Sequence, residues 1–319
     1  MSFALRGSTE IAPATRERLQ RLAAERGYRT DPHVTSVMSR LRTKSSARAV
    51  VNICGLGEDW GTPRNGENYY TRLLAGVRGR AEALGFAFGV LHLNDYPESA
   101  RLEQVLLARG VEGLLLLPLR APADLATRLD WRKFAVAAVT SSVLAPSFHS
   151  VTPSHFDNML LACRELTQSG CRRIGLAMSR DWDIRVRHRW SGGIAWQNQF
   201  GGTEPVKPLI YDRPGPNLDT EALLAWLRAE RPDVVILETV DRNGFERAVA
   251  TLPAKRRPKC VTMNWPSALA VAGIDQQVER IGAAAIDLLG GMIARGEKGV
   301  PVQPTQSFIE GAWRRAGTD

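Results

Sequence analysis

Hydrophobic and polar positions alternate in blocks along residues 48–139, and the period changes from one block to the next. Short apolar runs, several of them rich in β-branched residues, predict strands at 48–54, 86–93, 113–117 and 134–139. Apolar residues at helical spacing predict helices at 69–84 and 98–109, with a short one around 122–129. This order favours a parallel sheet covered on both faces, because such a sheet buries its strands as continuous apolar runs.

The same order of elements begins again after residue 150. Helices are predicted at 157–169, 186–200, 219–230, 243–251 and 277–294. Strands are predicted at 173–178, 206–211, 233–237, 259–263 and 306–310. We therefore predict an α/β protein with two Rossmann-like lobes. A small ligand is expected in the cleft between them, at the carboxyl ends of the strands.

The first 47 residues follow a different pattern. Residues 13–26 predict a short helix that Pro13 opens and Gly27 closes. Pro32 starts a second helical segment whose one-sided apolar stripe consists of Val34, Val37, Met38 and Leu41. Because isolated helices of this length are marginal in water, the segment needs a partner, either a second copy of itself, DNA, or both.

Charge separates the same segment from the rest of the chain. The chain has 319 residues and a formal net charge of +9. Residues 1–48 hold ten Lys or Arg and four Asp or Glu, which leaves +6 there and +3 on the remaining 271 residues. Clustered positive charge favours binding to a phosphate backbone, because each neutralised phosphate releases counterions. A solubilising basic tail is the alternative that charge alone leaves open.

The overall composition, 44% hydrophobic and 24% charged, is typical of a globular protein and excludes a disordered or collagen-like chain. No apolar stretch approaches the ~18 residues of a membrane span, and the first residues lack the apolar core of an export signal. We expect a cytoplasmic protein with no membrane partner. Reduced thiols in or near the core are expected for the four scattered cysteines, Cys54, Cys163, Cys171 and Cys260.

Signatures of catalysis are weak. The loop at 55–61 follows the first predicted strand and is similar to a dinucleotide-binding glycine loop, but its third glycine is one position late. The sequence has no P-loop, HExxH or GxSxG motif, and its five histidines are dispersed. We therefore expect no enzyme activity, no catalytic residue, no metal site and no cofactor.

Residues 4–32 resemble the end of the DNA-binding domain of LacI/GalR-type transcriptional regulators (repressors). The family pattern is matched at Leu5, Gly7, Ile11, Thr15, Arg16, Gly27, Tyr28 and Pro32. The resemblance continues through the body of the chain at 69–76, 108–117, 166–176 and the Arg-x-x-Gly motif at 189–192. It covers essentially the whole sequence.

This resemblance implies a partial helix-turn-helix domain at 1–31, a hinge helix and linker at 32–47, and a bilobed, periplasmic-binding-protein-like effector domain at 48–319. The first lobe is expected at about 48–148 plus part of 264–295, and the second at about 149–263 plus the C-terminal strand. In the family the helix-turn-helix begins well before the position of Met1. We expect the translated start to lie upstream; loss of autonomous base readout is the alternative.

DNA contacts are implied by the same resemblance. In the family a pair of hinge helices enters the minor groove, and an apolar side chain wedges between base steps. The register from Pro32 places this wedge at Val37, with Met38 and Leu41 as competitors and a plain dimer contact as the alternative. The implied DNA-binding residues are Leu5, Arg6, Arg29, Val37, Met38, Leu41 and Arg42.

Effector contacts are implied at several positions of the body. Tyr69 and Tyr70 match an aromatic pair that packs on a ligand ring, and ordinary packing at a helix start is the alternative. Arg189 matches an arginine that reaches a ligand hydroxyl or carboxylate, and a surface ion pair is the alternative. Asn264 stands where the family has a ligand-binding Asp, so it keeps a hydrogen-bonding group and loses the charge.

The sequence departs from the family near this pocket. The family's Asn-Asp is replaced by Glu-Thr-Val-Asp at 238–241, and its Gly-Phe-Asp-Asp by Thr-Met-Asn-Trp at 262–265. The ligand therefore need not be the family's commonest one, a free or phosphorylated sugar or a purine. Three loop tryptophans are candidate stacking platforms, with a structural role as the alternative: Trp60, Trp182 and Trp265.

The function that the resemblance implies is that of a homodimeric transcription regulator. Its expected partners are operator DNA and a small, carbohydrate-derived effector that controls operator affinity from between the lobes. The alternative is an effector-binding protein without autonomous DNA binding, either a mixed-dimer regulator or a solute receptor. The absence of an export signal and the basic head argue against the receptor.

Overall fold

The structure is a computed structural model that describes residues 12–25, 51–60, 68–212, 219–238, 242–265 and 271–316. The chain divides into two compact units, Met1–Ala49 and Val50–Asp319. In the first unit the described residues form helix α1 (Pro13–Glu25), where the sequence predicts a helix. Most of its described side chains are exposed. All seven predicted DNA-binding residues lie outside the described residues.

The second unit contains two lobes, each built on a six-stranded sheet. The elements up to residue 153 are β1 (Asn52–Gly57), α2 (Tyr69–Ala83), β2 (Ala87–His92), α3 (Ser99–Ala108), β3 (Val111–Leu116), β4 (Ala123–Asp124), β5 (Ala135–Ala138), β6 (Val143–Ala145) and β7 (His149–Pro153). Those from 155 to 250 are α4 (His155–Gln168), β8 (Ile174–Ser179), α5 (Arg180–Arg185), α6 (Arg189–Phe200), β9 (Leu209–Tyr211), α7 (Thr220–Glu230), β10 (Val234–Leu237) and α8 (Arg242–Ala250). The last are β11 (Lys259–Thr262), β12 (Gly273–Asp275), α9 (Val278–Arg295), β13 (Gln306–Ile309) and β14 (Ala312–Arg314).

The sheet of the first lobe has the order β13-β7-β5-β3-β1-β2, and all its neighbours are parallel. The sheet of the second lobe has the order β14-β12-β11-β10-β8-β9, with β14 antiparallel to β12. Strands β4 and β6 form a separate parallel pair. The predicted class, two Rossmann-like α/β lobes, is confirmed.

Alternate residues of each buried strand enter cores on opposite faces of the sheet. In β3, Leu114 packs on the face that helix α3 covers, whereas Leu115 packs on the face that α2 and α9 cover. This double burial explains why the strands are continuous apolar runs in the sequence. The four cysteines form no disulfide, and three of them are buried. No helix among the described residues is long and apolar enough to cross a membrane.

The chain passes between the lobes three times: after β7, after β12, and between β13 and β14. The first lobe therefore extends through Pro153, beyond the expected limit near 148, because β7 inserts between β5 and β13. The predicted strand at 306–310 also lies in the first lobe, and the second lobe receives β14 instead. After its second passage the chain forms α9, which packs closely on α2: a Cβ on Gly76 would lie 2.1 Å from the carbonyl oxygen of Glu279.

Several elements differ from the sequence-based expectation. The helix expected around 122–129 is absent, and residues 123–124 instead pair with β6. The short strands β12 and β14 were not expected, and each is only three residues long. Helix α5 was also not expected; it begins after Ser179, whose hydroxyl accepts a hydrogen bond from the backbone N–H of Trp182. It follows β8 directly and leads into the cleft between the lobes.

Candidate effector site between the two lobes

Three arginines from one short segment of the second lobe reach across to the first lobe. Arg185 donates a hydrogen bond to the carbonyl oxygen of Leu119, which follows β3. Arg187 donates to the carbonyl oxygen of Val143 at 3.3 Å. Arg189 donates to the side-chain oxygen of Gln306 at 3.0 Å. We call Arg185, Arg187 and Arg189 the cross-lobe arginines; all three acceptors are uncharged.

Arg185 lies between two tryptophans, one from each lobe. Its guanidinium carbon is 4.9 Å from the ring centroid of Trp60 and 4.8 Å from that of Trp182. Cation–π contacts at these distances are favourable, more so when the cation is desolvated. Burial nevertheless lowers the pKa of Arg185 to about 10, although the negative charges that Tyr69 and Glu58 can carry oppose this effect. Arg185 is thus a cation whose loss of water is incompletely compensated by the protein.

Trp60 is held by contacts within the first lobe. Its indole N–H donates to the carbonyl oxygen of Pro118 at 3.1 Å, and its ring stacks on Tyr70 with centroids 6.0 Å apart. The guanidinium of Arg120 lies 5.1 Å from the same ring. Two positive charges therefore share one aromatic side chain, and the charge of Arg120 contributes to the lowered pKa of Arg185.

A chain of polar groups lines the strand ends of the second lobe. The buried carboxylate of Glu238, which follows β10, accepts from the backbone N–H of Ser179 at 2.8 Å and from its hydroxyl at 3.0 Å. The side-chain amide of Asn264 donates to the carbonyl oxygen of Glu238 at 2.7 Å, and Gln276 donates to Asn264. Burial raises the pKa of Glu238, against the opposing effect of its hydrogen bonds with Ser179.

Five buried polar atoms on these loops and helix starts have no hydrogen-bond partner among the described residues. They are Tyr70 Oη, Ser141 Oγ, His155 Nδ1, Trp182 Nε1 and Gln276 Oε1. Buried polar atoms in proteins are almost always hydrogen-bonded, so each exception requires an explanation. All five belong to residues that follow a strand or begin a helix on the side where strands end, which is where ligands bind in open α/β sheets. A polar ligand in the cleft would explain them together.

The described residues contain no group of three or more His, Cys, Asp or Glu side chains placed to hold a metal ion. The groups that the cleft does present are a cation, aromatic faces and hydrogen-bonding side chains. Such a combination suits binding of a polar organic molecule.

No protein-family model and no curated protein sequence matches this chain. Solved structures do match it. The Lac repressor dimer bound to operator and to the anti-inducer ONPF has 16% sequence identity and a TM-score of 0.61, over 99% of this chain and 93% of that one. The chain has the fold of the LacI-family repressors.

Two further structures with this fold were solved with sugars. The transcriptional regulator CelR in complex with cellobiose has 17% identity and a TM-score of 0.56, over 100% of this chain and 94% of that one. A periplasmic binding protein/LacI transcriptional regulator from Alkaliphilus metalliredigens QYMF, in complex with D-xylulofuranose, has 14% identity and a TM-score of 0.60, over 84% of this chain and 99% of that one. The neighbours of this LacI-type fold are transcription regulators rather than enzymes.

The LacI-type fold brings four of the six predicted effector residues to the cleft. Tyr69 is near Arg185, whose positive charge acts against the burial that raises the pKa of Tyr69 to about 12. Tyr70 stacks on Trp60, Trp182 lies on Arg185, and Asn264 belongs to the polar chain. These positions are compatible with a role in binding.

The other two predicted residues have different surroundings. Arg189 lies against β13, with its guanidinium carbon 5.1 Å from the ring centroid of Phe308. Trp265 is buried near the second passage between the lobes, where its indole N–H donates to the carbonyl oxygen of Val271 at 3.0 Å. Its own carbonyl oxygen accepts from Arg72 at 3.3 Å. The contacts of Trp265 are those of a structural residue.

Sequence reasoning missed the residue at the centre of the site. Arg185 was not predicted because α5 was not predicted, and without that helix nothing orients its side chain. Glu238 was noted only as a departure from the family pattern. The run Arg-Val-Arg-His-Arg at 185–189 was an available signal: three arginines within five residues, with no acidic residue among them.

Proposed function

We propose that this protein is a DNA-binding transcription regulator whose affinity for operator DNA changes when a small, carbohydrate-derived effector binds between its two lobes. The observation that carries the proposal is the likeness to the operator-bound Lac repressor dimer, which extends over 99% of this chain and so includes the N-terminal unit as well as the lobes. A separate solute-binding body would not require the basic N-terminal segment.

The DNA-binding part of the proposal rests on residues 1–48, which carry +6 of the net charge of +9. Their positive charge suits phosphate contacts, and the apolar stripe of the hinge suits a minor-groove wedge. We propose that the chain acts as a homodimer in the cytoplasm and binds a near-palindromic operator, as a symmetric dimer would. The proposed contacts are Leu5, Arg6, Arg29, Val37, Met38, Leu41 and Arg42.

The effector-binding part rests on the cleft. Two structural neighbours hold sugars, cellobiose and D-xylulofuranose. A sugar presents hydroxyl groups to unpartnered polar atoms and apolar faces to aromatic rings, which the cleft supplies in Trp60 and Trp182. The proposed effector contacts are Tyr69, Tyr70, Trp182, Arg189 and Asn264, with Arg185 and Trp60 added from their geometry.

The cross-lobe arginines supply a physical link between ligand binding and lobe arrangement. Their hydrogen bonds join the two lobes and therefore exist only in an arrangement that keeps the lobes together. An effector that binds this arrangement better than an open one shifts the population toward it. A coupling of about 1–3 kcal/mol, typical of allosteric proteins, would change operator affinity about 5–150-fold.

The proposal is tested first on DNA. Purified full chain is used to select sequences from a random duplex library, and affinity for the selected duplex is measured by fluorescence anisotropy from roughly 50 to 200 mM salt. We expect near-palindromic sequences and an affinity that falls steeply with salt. A Leu41→Ala substitution is expected to weaken binding, since it shortens the apolar stripe.

Two results would decide against the proposal. A chain that binds no duplex at low ionic strength is not an autonomous gene regulator, and a mixed-dimer regulator or solute receptor then describes it better. Unchanged affinity after both Val37→Ala and Leu41→Ala would exclude the wedge while leaving the regulator in place.

A further inference from the structure

Arg185 lacks the ion-pair partner that an arginine usually has at such depth; of the other cross-lobe arginines, Arg189 is half-buried and Arg187 is exposed. Charged side chains are rarely buried without an ion pair, because removal from water costs several kcal/mol per ion. Among the described residues, no carboxylate forms an ion pair with Arg185, Arg187 or Arg189. Each of them instead donates to a neutral oxygen of the first lobe. The guanidinium of Arg185 is therefore buried without direct contact to a carboxylate of the described residues.

The carboxylates nearest to Arg185 are engaged elsewhere. Glu238 accepts from the backbone N–H of Ser179 and from its hydroxyl, which lies within reach of both carboxylate oxygens. Glu58 accepts from the backbone N–H of Arg120 at 2.5 Å. Arg120 adds a further positive charge at the ring of Trp60. The two acids offset part of the charge of Arg185 from a distance, but neither forms a hydrogen bond or an ion pair with its guanidinium.

Arg185 also retains donors for a ligand. A guanidinium has five N–H donors, and the part of the chain that the structure describes provides one acceptor, the carbonyl oxygen of Leu119. The side chain is only 9% exposed, so a ligand group that reached it would be largely shielded from water. In such surroundings a hydrogen bond between a guanidinium and an anion is stronger than in water.

We propose that the effector is an acidic carbohydrate derivative, whose carboxylate or phosphate binds Arg185 between Trp60 and Trp182. This inference rests on the proposed function and adds to it the charge of the effector. The anion would pair directly with this guanidinium, and the two rings would hold the guanidinium in place. The hydroxyl groups of the sugar would then bind the polar chain of Glu238, Asn264 and Gln276.

Binding is measured by isothermal titration calorimetry on the full chain. The ligands are D-glucose, D-galactose and D-mannose, their uronic acids and their 6-phosphates, with inorganic phosphate and sulfate as controls for an adventitious ion. We expect at least one acid to bind ten times tighter or more than its parent sugar. Comparison of the uronic acids with the sugar 6-phosphates shows which of the two anions the site binds.

Substitutions connect the preference to Arg185. Arg185→Met is expected to weaken binding of the preferred acid at least tenfold and to abolish its advantage over the neutral sugar. Arg185→Lys keeps the charge and loses the planar fork, so it is expected to be intermediate. The matched control is Arg180→Met: Arg180 begins the same helix but pairs with the exposed Asp212. It is expected to bind like the wild type.

Three results would overturn the inference. They are neutral sugars binding as tightly as their acids with Arg185→Met unaffected, no sugar of either class binding, and inorganic phosphate binding as tightly as a sugar phosphate. None of these three results affects the DNA selection described above, because that experiment requires no effector. The regulator can therefore stand while its acidic effector fails, and the two failures are distinguishable.

Discussion

Two arginines join the lobes of this protein, Arg72 half-buried and Arg185 buried, and their surroundings shift their pKa values in opposite directions. Arg72, on α2, bonds to Glu279 at 2.6 Å and to the buried Asp275 at 3.2 Å. Burial opposes its charge, but these hydrogen bonds and charges prevail and raise its pKa above the ordinary value. Arg185, in the cleft, faces two aromatic rings and a carbonyl oxygen, and its pKa is lowered to about 10.

The difference separates a structural joint from a binding group. Asp275 also accepts from Arg314 at 3.1 Å, so the charges near Arg72 are compensated by the protein itself. We call Arg72, Asp275, Glu279 and Arg314 the interlobe ion-pair network. Because its charges are satisfied, it gains nothing from a ligand. Arg185 is not satisfied in this way, and a ligand can supply what the protein does not.

The largest expected effect on stability comes from breaking the interlobe ion-pair network. Arg72→Met leaves the buried Asp275 with Arg314 but without Arg72, and it removes the arginine that pairs with Glu279. Removing one partner of a buried ion pair typically costs several kcal/mol, so we expect the free energy of unfolding to fall by about 3 kcal/mol. Urea denaturation measures it.

The matched control for Arg72 is Arg80→Met. Arg80 lies on the same helix and pairs with Asp287 of α9, but both side chains are more than 40% exposed. Exposed pairs contribute about 0–1 kcal/mol, so this variant should lose little. Equal losses in the two variants would show that burial does not distinguish them.

The packing of α2 on α9 is expected to tolerate no extra methyl group at the contact. Gly76→Ala would place a Cβ 2.1 Å from the carbonyl oxygen of Glu279 and separate the helices, at a cost of about 1–3 kcal/mol. Gly79, on the same helix, has no atom within 4 Å of such a Cβ. Gly79→Ala should therefore stabilise the protein by up to about 1 kcal/mol through helix propensity. Thermal unfolding of both variants checks the opposite signs.

On the cleft side, His155 provides a pH-dependent test. Its ring lies edge-on to Trp190 with centroids 5.6 Å apart. Burial, followed by the charges of Arg189 and Arg185, lowers the pKa of His155 to about 3. The unfolded chain takes up this proton near pH 6.5 and the folded protein does not, so stability is full above about pH 6.5 and is lost as the pH falls toward 3.

His155→Gln removes this proton uptake. Between pH 7 and pH 5 the variant should lose about 2 kcal/mol less stability than the wild type, by urea denaturation at each pH. Groups that titrate equally in both proteins cancel in the difference. An equal loss of stability in the variant and the wild type contradicts the prediction. So does an NMR signal of a charged His155 ring at pH 5.

The smallest effect on stability is expected for a substitution of Arg185, the residue that is compared with Arg72. Arg185→Met loses two cation–π contacts and one hydrogen bond, but it also removes an uncompensated buried charge. We expect the free energy of unfolding without ligand to change by less than about 1 kcal/mol in either direction. A loss as large as that of Arg72→Met would make Arg185 a structural residue and remove the contrast.

Much of the fold follows from local sequence patterns. The helix predicted at 69–84 is α2 (Tyr69–Ala83), and the strand predicted at 233–237 is β10 (Val234–Leu237). These elements have long or strongly apolar patterns that bury the same face wherever they pack. The short strands β12 and β14 have no such pattern, because three residues are too few to show a period and their pairing with each other depends on distant parts of the chain.

The candidate site was predicted only in part. Tyr70 and Asn264 were found through the family resemblance, and the structure brings them to the cleft. Trp182 was proposed as a loop tryptophan that could stack on a ligand, and it also lies there. Trp265 was proposed on the same basis, yet its indole N–H is used by Val271. No local pattern distinguishes a tryptophan that faces a ligand from one that packs where the chain passes between the lobes.

The sequence by itself determined the alternation of elements, the two-lobed class and the concentration of positive charge in the first 48 residues. These properties depend on which residues are neighbours along the chain. Only the tertiary structure decided that Arg72 meets Asp275 and Glu279, whereas Arg185 meets Trp60 and a carbonyl oxygen. An arginine has the same chemistry at both positions, and its role is set by the charges and the water that folding leaves around it.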